Sequence, residues 1–368
     1  MLSKISLPVI GLSCLALVSA APTFSFSNNP LGNNFPTPAT AQLAAIQTQA
    51  HGSIPAGNPA PPAPPKADTL TSLRLIAFNE LWEVSFFFQL LKLIESGNPA
   101  FQDSSLDMNA LTAALTAILA QEELHAINAN NALSKFDSNG PVLPCQYNFP
   151  VYNLQDALTL ASTFTDVVLG TLQDVATLMG IDGDAGLIRG IASVVGQEGE
   201  QNGYYRSLQG KIPSALPFLT ASTRDFAFSA LNQNFVVPGS CPNINTINLK
   251  VFGVLNVDTT NIQPQVQDID FSFAIPSGGI PQSWKPDCSG LELVYINQQN
   301  VPQVAQVKSI DINTQANKVS ITAVFPFNEG TFGNGLTIAA VVLASGDLTT
   351  VDGVAAATQF GPGLIEIN

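Results

Sequence analysis

The chain has 368 residues, 46% of them hydrophobic and only 11% charged, which is long enough for two ordinary domains. Its 27 acidic residues against 13 basic give a net charge of −14, which excludes nucleic acid and anionic membrane surfaces as natural partners. Mean hydropathy is positive, yet beyond residue 21 no run of about 18 apolar residues appears, so no membrane span is expected.

Residues 1–20 read as a signal peptide. Lys4 supplies the positive end, IGLSCLALVSA the apolar core, and Val18-Ser19-Ala20 a small-x-small cleavage site before Ala21-Pro22. The mature chain is then secreted, to the medium or the cell wall. It loses Lys4 and Cys14, leaving 12 basic against 27 acidic residues, a net of −15. The polar end GLIEIN offers no hydrophobic tail for a lipid anchor. Cys145, Cys241 and Cys288 remain, and in an oxidising compartment two of them pair. Three pairings are possible. Cys145 and Cys241, both in Pro-containing loops flanking a helical region, are the favoured pair.

Residues 21–67 are rich in Pro, Ala, Asn and Gln and end in AGNPAPPAPPK. This composition predicts a disordered, extended segment, with His51 as a solvated side chain within it.

From 68 to 240 the period is helical. The first helix is expected over 71–96, with Asp68 or Thr69 as cap and Gly97-Asn98-Pro99 as stop. Leu73, Ile76, Glu80, Val84, Phe87, Leu91 and Ile94 form its stripe. The second is expected over 107–134, with Leu111, Leu115, Ile118, Glu122, His125, Ala129 and Ala132 in line. The irregular stretch KFDSNGPVLPCQYNFPVYN follows, and about fifteen extended residues reach roughly 50 Å, the length of a bundle. The third helix is expected over 154–180 and the fourth over 185–209, striped by Leu187, Ile191, Val194, Glu198, Gln201, Tyr205 and Leu208. STRDFAFSALNQ reads as a shorter fifth. From 241 to 368 the period becomes two: Ile269, Phe271, Phe273 and Ile275 alternate with small or polar residues, as do Val319, Ile321, Ala323 and Phe325. SIDINTQANKVSITAVF predicts a hairpin and LTIAAVVLAS a buried strand, which together predict a β-sandwich-like domain.

Polar residues interrupt the helical stripes at Glu80, Glu122, His125, Glu198 and Gln201. Residues i and i+3 share a helix face, so Glu122 and His125 aim at one point. An ionised carboxylate on a core stripe is costly unless it is paired or bound to metal. Two antiparallel helix pairs joined by a long crossover is the ferritin-like topology, where inward Glu and Glu-x-x-His pairs build a two-metal centre. The Glu122–His125 pair also has a plain alternative, a buried ion pair that fixes helix register. The third helix offers only Asp166, on a polar face with Ser162, Thr163, Gly170 and Gln173, a poor ligand candidate. Glu83, beside Trp82, is read as solvated, and Tyr204 and Tyr205 as packing residues. Walker, Rossmann, Gly-x-Ser-x-Gly and Cys-x-x-Cys patterns are absent from the sequence. His125, mid-helix on an apolar stripe, does not suit a Ser-His-Asp triad.

LRLIAFNELWEVSFFFQLL, ILAQEELHAINANNALSKF and the crossover PCQYNFP resemble a family of secreted fungal proteins with a ferritin-like domain, described as nutritional- or stress-response and late-sexual-development proteins. The likeness covers roughly residues 68–240. It implies an α+β multidomain chain, a ferritin-like four-helix bundle followed by a small β-sandwich-like domain. It also implies metal-ligand positions at Glu80, Glu122, His125, Glu198 and Gln201, for iron or manganese. Gln201 stands where a second histidine is expected, so the resemblance implies a degenerate site with metal sub-stoichiometric or absent. The function expected is therefore non-catalytic, in stress response or sexual development. One alternative is a two-metal oxidoreductase of the ferroxidase or catalase type. Another is cell-wall adhesion or carbohydrate binding through the β domain, with Trp284 and Tyr295 stacking on sugars. The sequence does not fix the oligomeric state.

Overall fold

The structure, a computed structural model, describes residues 23–55 and 63–368; the expected signal peptide lies outside the described residues. Most of the Pro-rich run expected to be disordered, residues 56–62, also lies outside the described residues; the part of that segment before it differs from expectation. Residues 23–55 are folded against the bundle instead of forming loose polyproline-like chain. Phe24–Ser25 form a short strand, β1, paired antiparallel with Gln146–Tyr147, β2, in the crossover. Thr40–Gln49 form a helix, α1. Phe24, Phe26, Phe35 and Ile46 are buried in the helical core. Each such side chain contributes about 1.5–3 kcal/mol, enough for a few anchors to hold a segment whose Pro- and Asn-rich composition hides them. His51 is exposed, as expected.

Four long helices follow: Ala67–Glu95 (α2), Met108–Phe136 (α3), Leu154–Asp182 (α4) and Ile188–Leu208 (α5), with Arg224–Asn234 (α6) beyond. α2 packs along α3 and α4 along α5, while α6 closes over α2 and α4. Residues 137–153 cross from the first pair to the second. α2 begins earlier than Asp68 or Thr69 would cap it, because its orphan amides find acceptors at the far end of α4. Lys66 N–H donates to Asp184 Oδ2 at 2.9 Å and Thr69 N–H to Asp182 Oδ2 at 3.1 Å. Asp107 caps α3 and Asn153 caps α4, and α4 stops at Gly183, whose φ of 83° suits glycine. α2 is enclosed on nearly every side: 19 of its 29 residues are buried.

The C-terminal region holds two four-stranded antiparallel sheets. Its strands are Asn256–Val257 (β3), Gln267–Ala274 (β4), Leu291–Asn297 (β5), Gln303–Val304 (β6), Val307–Asn313 (β7), Lys318–Phe325 (β8), Gly335–Leu343 (β9) and Thr358–Ile367 (β10). The sheet orders are β10-β9-β5-β6 and β3-β4-β8-β7. The expected hairpin is β7–β8, and β4 pairs with β8 from Gln267↔Phe325 to Ala274↔Lys318. Between the sheets, Phe271, Phe273, Ile321 and Phe325 meet Leu293, Tyr295, Val341 and Ile365. The other side of the first sheet (Val294, Ile296, Ile338, Ala340, Val342) joins the helical core. That sheet is covered on both faces, which explains the unbroken apolar run of β9. The division expected at 240/241 therefore separates element types, while the core runs across it. Trp284 and Tyr295 are buried between the sheets, so neither ring is free to stack on a sugar.

Cys145 and Cys241 form a disulfide spanning 96 residues, tying the crossover to the segment after α6; Cys288 is buried and free. Among the described residues one helix, α4, is long and apolar enough to cross a membrane; 61% of its apolar window is buried inside the protein.

Candidate metal centre

Four side chains on three helices converge. Glu80 comes from α2, Glu122 and His125 from α3, and Glu198 from α5, with one ligand-type atom from each inside a mutual distance of 4.8 Å. His125 Nδ1 lies 2.9 Å from Glu122 Oε2, 3.5 Å from Glu80 Oε2 and 3.9 Å from Glu198 Oε1. The three carboxyls are fully or almost fully buried, and only the imidazole, 17% exposed, keeps a solvent-facing edge. The i, i+3 spacing on α3 brings Glu122 and His125 together, and the core stripes of α2 and α5 bring the others to them.

Gln201 lies outside this group of four and acts on it. Its Nε2 donates to Glu122 Oε1 at 2.6 Å and to Gln121 Oε1 at 3.1 Å, and Tyr205 Oη donates to Gln201 Oε1 at 3.3 Å. A carboxylate only accepts, so the amide must turn its NH₂ towards Glu122. Gln201 thus orients Glu122, a role different from the ligand position the resemblance implies. Tyr205 is buried and stacks on Phe87, a packing residue as expected, with its hydroxyl in the same network.

Glu83 is not the solvated residue its sequence position suggests. It is buried, takes a hydrogen bond from Asn79 Nδ2 at 3.0 Å, and sits among the acids of the centre. A single-stripe picture of α2 puts it in water. The signal lies in FNELWEVSFFFQ, where large apolar residues surround the helix, and a helix apolar all round is buried all round. On α4, as expected, no carboxylate serves the centre. Val168, Leu172 and Val175 line a cavity of about 20 Å³ beside Glu80 and Asn79, room for roughly one water-sized molecule.

Asp166 is also buried, in a second polar cluster. It accepts from Asn202 Nδ2 at 2.9 Å, and Ser162 Oγ donates to Asn202 Oδ1 at 2.7 Å. Arg206 Nη1 lies 3.4 Å from Glu366 Oε1 of β10, and Lys211 is close by. The polar face of α4 thus looks onto α5.

The electrostatics of the centre are those of an acid surplus. Burial pushes the Glu80 carboxyl up to about 7, against the pull of His125. Burial, then the neighbouring carboxylates Glu122 and Glu80, push Glu198 well above the usual range, and burial followed by Glu198 and Glu122 does the same to Glu83. Burial opposes a charged imidazole, yet Glu122 and Glu80 hold the His125 proton well above its ordinary range. Glu80 Oε2, Asn79 Oδ1 and both oxygens of Glu198 have no hydrogen-bond partner. All are acceptors, so each waits for a proton or a cation. Carboxylate oxygens with one imidazole nitrogen suit a divalent transition metal. Atoms ringing one ion at bonds of about 2.0–2.2 Å lie at most about 4.4 Å apart, so the four, within 4.8 Å of one another, would close on an ion with shifts of a few tenths of an ångström. The residues present fit such an ion.

In comparisons with known proteins, residues 74–211 match the family described as a ferritin-like domain. That span covers most of α2 and all of α3, α4 and α5, and with them every residue of the centre. No curated protein matches the chain.

Proposed function

We propose that the ferritin-like domain binds a divalent transition-metal cation, with Glu80, Glu122, His125 and Glu198 as ligands and Gln201 as the residue that holds Glu122 in place. One observation carries this reading: Glu80 and Glu198 are buried with unpartnered oxygens facing the same imidazole. A purely structural ion pair would satisfy His125 with Glu122 alone and has no use for two further acids. Bound iron or manganese would supply a redox-active, Lewis-acidic centre. The protein's own part is to bind and orient, and to exclude water from all but the His125 edge.

The proposal extends to an exported protein of the stress-response or sexual-development kind, in the medium or cell wall. The pattern of residues 1–20, the disulfide and the resemblance support export and that setting. Gln201, where a second histidine is expected, and the lack of an α4 carboxylate in the group of four support binding without turnover as the primary role. The oxidoreductase reading has one observation in its favour, the small cavity against Glu80, which has room for about one water-sized molecule.

Elemental analysis of protein purified without chelator tests the binding proposal. A stoichiometric transition metal that disappears in His125→Ala is expected. Metal-free protein whose melting temperature ignores both chelator and added Mn²⁺ would end it. Oxygen uptake or peroxide breakdown by metal-replete protein, abolished in Glu198→Gln, would promote the oxidoreductase reading.

A further inference from the structure

We infer that the first half of α5, residues 188–197, opens as a flap while the rest of the bundle stays folded, and that a cation reaches the buried acids by this route. The route rests on the metal-binding reading above; the opening itself does not.

The two halves of α5 are held unequally. All five of its buried residues, Glu198, Gln201, Asn202, Tyr205 and Arg206, lie from position 198 onward. Asn202 pins that half to Asp166 on α4, and Arg206 pins it to Glu366 on β10. Ahead of it no residue is buried: Ile188, Ile191, Val194 and Val195 rest half-buried against the core. The start is uncapped, since Leu187 offers no side-chain acceptor and the first turn has no acid. Glycine interrupts the helix at Gly190, Gly196 and Gly199, where an added methyl would touch nothing within 4 Å. No neighbour requires glycine there, so each lowers helix stability with no compensating contact. A segment so poorly anchored opens at a lower free energy than the helices around it.

The two halves meet at the centre. Glu198 follows the flap directly, and both its oxygens are without partners. Gln197, the last residue of the flap, donates through Nε2 to Gln121 Oε1 of α3 at 3.0 Å, beside Glu122, and so latches the flap to α3. With the flap down, the imidazole edge of His125, 17% exposed, is the part of the centre that meets solvent. A cation still carrying its waters needs a wider way in. Lifting residues 188–197 at Gly196 and Gly199 breaks the Gln197 latch and uncovers Glu198, while Gln201 keeps its bond to Glu122.

Native-state hydrogen exchange on the metal-free full chain, read by mass spectrometry, tests the opening. The fall of the free Mn²⁺ paramagnetic resonance signal after mixing tests the route. Amides of residues 192–197, all inside the helix, should exchange about a hundredfold faster than those of 200–208 and of α2, α3 and α4. Gly196→Ala, whose methyl meets open space, should slow that exchange about fivefold, the helix preference of alanine over glycine. It should slow Mn²⁺ uptake to a similar extent with the affinity unchanged. Gln197→Met, which loses the latch and keeps the helix preference, should speed both. The two halves of α5 exchanging together in the wild type would overturn the inference, as would uptake at the wild-type rate in Gly196→Ala. If no Mn²⁺ binds, the metal-binding reading falls and the route with it, while the exchange pattern still decides the opening.

Discussion

Two buried polar clusters sit in the same bundle and differ in their balance of charge. In the cluster of Asp166, Asn202, Arg206, Lys211 and Glu366, two acids face two bases, and the unpartnered atoms include a donor, Arg206 Nη2, as well as acceptors on Asp166 and Glu366. A bridging water satisfies such a set. In the cluster of Glu80, Glu83, Glu122, His125 and Glu198, four acids face one imidazole, and the unpartnered atoms of its members are all acceptors. The first cluster closes on itself and joins the helices to β10. The second is complete only with protons or cations from outside. What separates a structural polar core from a binding site here is unmatched charge, since burial is common to both.

Neutralisation should therefore act oppositely in the two places. Arg206→Met leaves Glu366 and Asp166 with Lys211 as their one remaining base, an uncompensated buried charge that should cost about 3–5 kcal/mol in denaturant unfolding. Glu198→Gln in metal-free protein should change stability by less than about 1 kcal/mol, or raise it, because it removes an unpaired buried acid. Similar large losses from both would erase the distinction. Next in size, Mn²⁺ at a hundred times its dissociation constant should stabilise the wild type by about 2.7 kcal/mol. It should leave the melting temperature of Glu198→Gln or His125→Ala unmoved at the same concentration.

The pH dependence follows, and its sign is fixed by the directions in which burial and charge move these groups. Glu80 and Glu123 are raised to about 7, the latter by burial against a 2.6 Å hydrogen bond from Asn33. Between the ordinary carboxylate range, about 4.3, and pH 7, the folded protein holds protons that the unfolded chain has released. Stability is then full below that window and falls as pH rises through it. His125, raised by its acids, adds to the same trend, present below its ordinary value and lost as pH climbs past the folded one. A tenfold difference in proton affinity between the folded and unfolded chain is worth about 1.4 kcal/mol. Metal-free protein should thus be about 1–3 kcal/mol less stable at pH 8 than at pH 5. Mn²⁺ should reverse the slope, because the cation must displace those protons. The smallest effect belongs to Gln201→Ala, which removes the donor that orients Glu122 and should weaken Mn²⁺ binding about tenfold. Unchanged affinity in isothermal titration would strip Gln201 of that role.

The sequence carries the helical half of the molecule well. The 3.6 period and the stop at Gly97 place all four long helices within a few residues, and the core stripes bring Glu80, Glu122, His125 and Glu198 to one point. What it hides has physical causes. Residues 23–55 look uncommitted because α1, TAQLAAIQTQ, buries only Ile46, and the anchoring phenylalanines lie in a two-residue strand and in loops, without periodicity. Glu83 is lost when one buried stripe is assumed for a helix enclosed on nearly all sides. The polar face of α4 pairs with α5, a choice that periodicity cannot make. The run in β9 announces a strand buried on both faces, yet nothing local says that helices supply its second cover.

The most direct test is an anomalous difference map from crystals of the Mn²⁺-bound protein. A peak enclosed by the Glu80, Glu122, His125 and Glu198 side chains, within bonding distance of His125 Nδ1, is the predicted result. Well-ordered density for those four side chains hydrogen-bonded to one another, with manganese found only on the acidic surface, would contradict it.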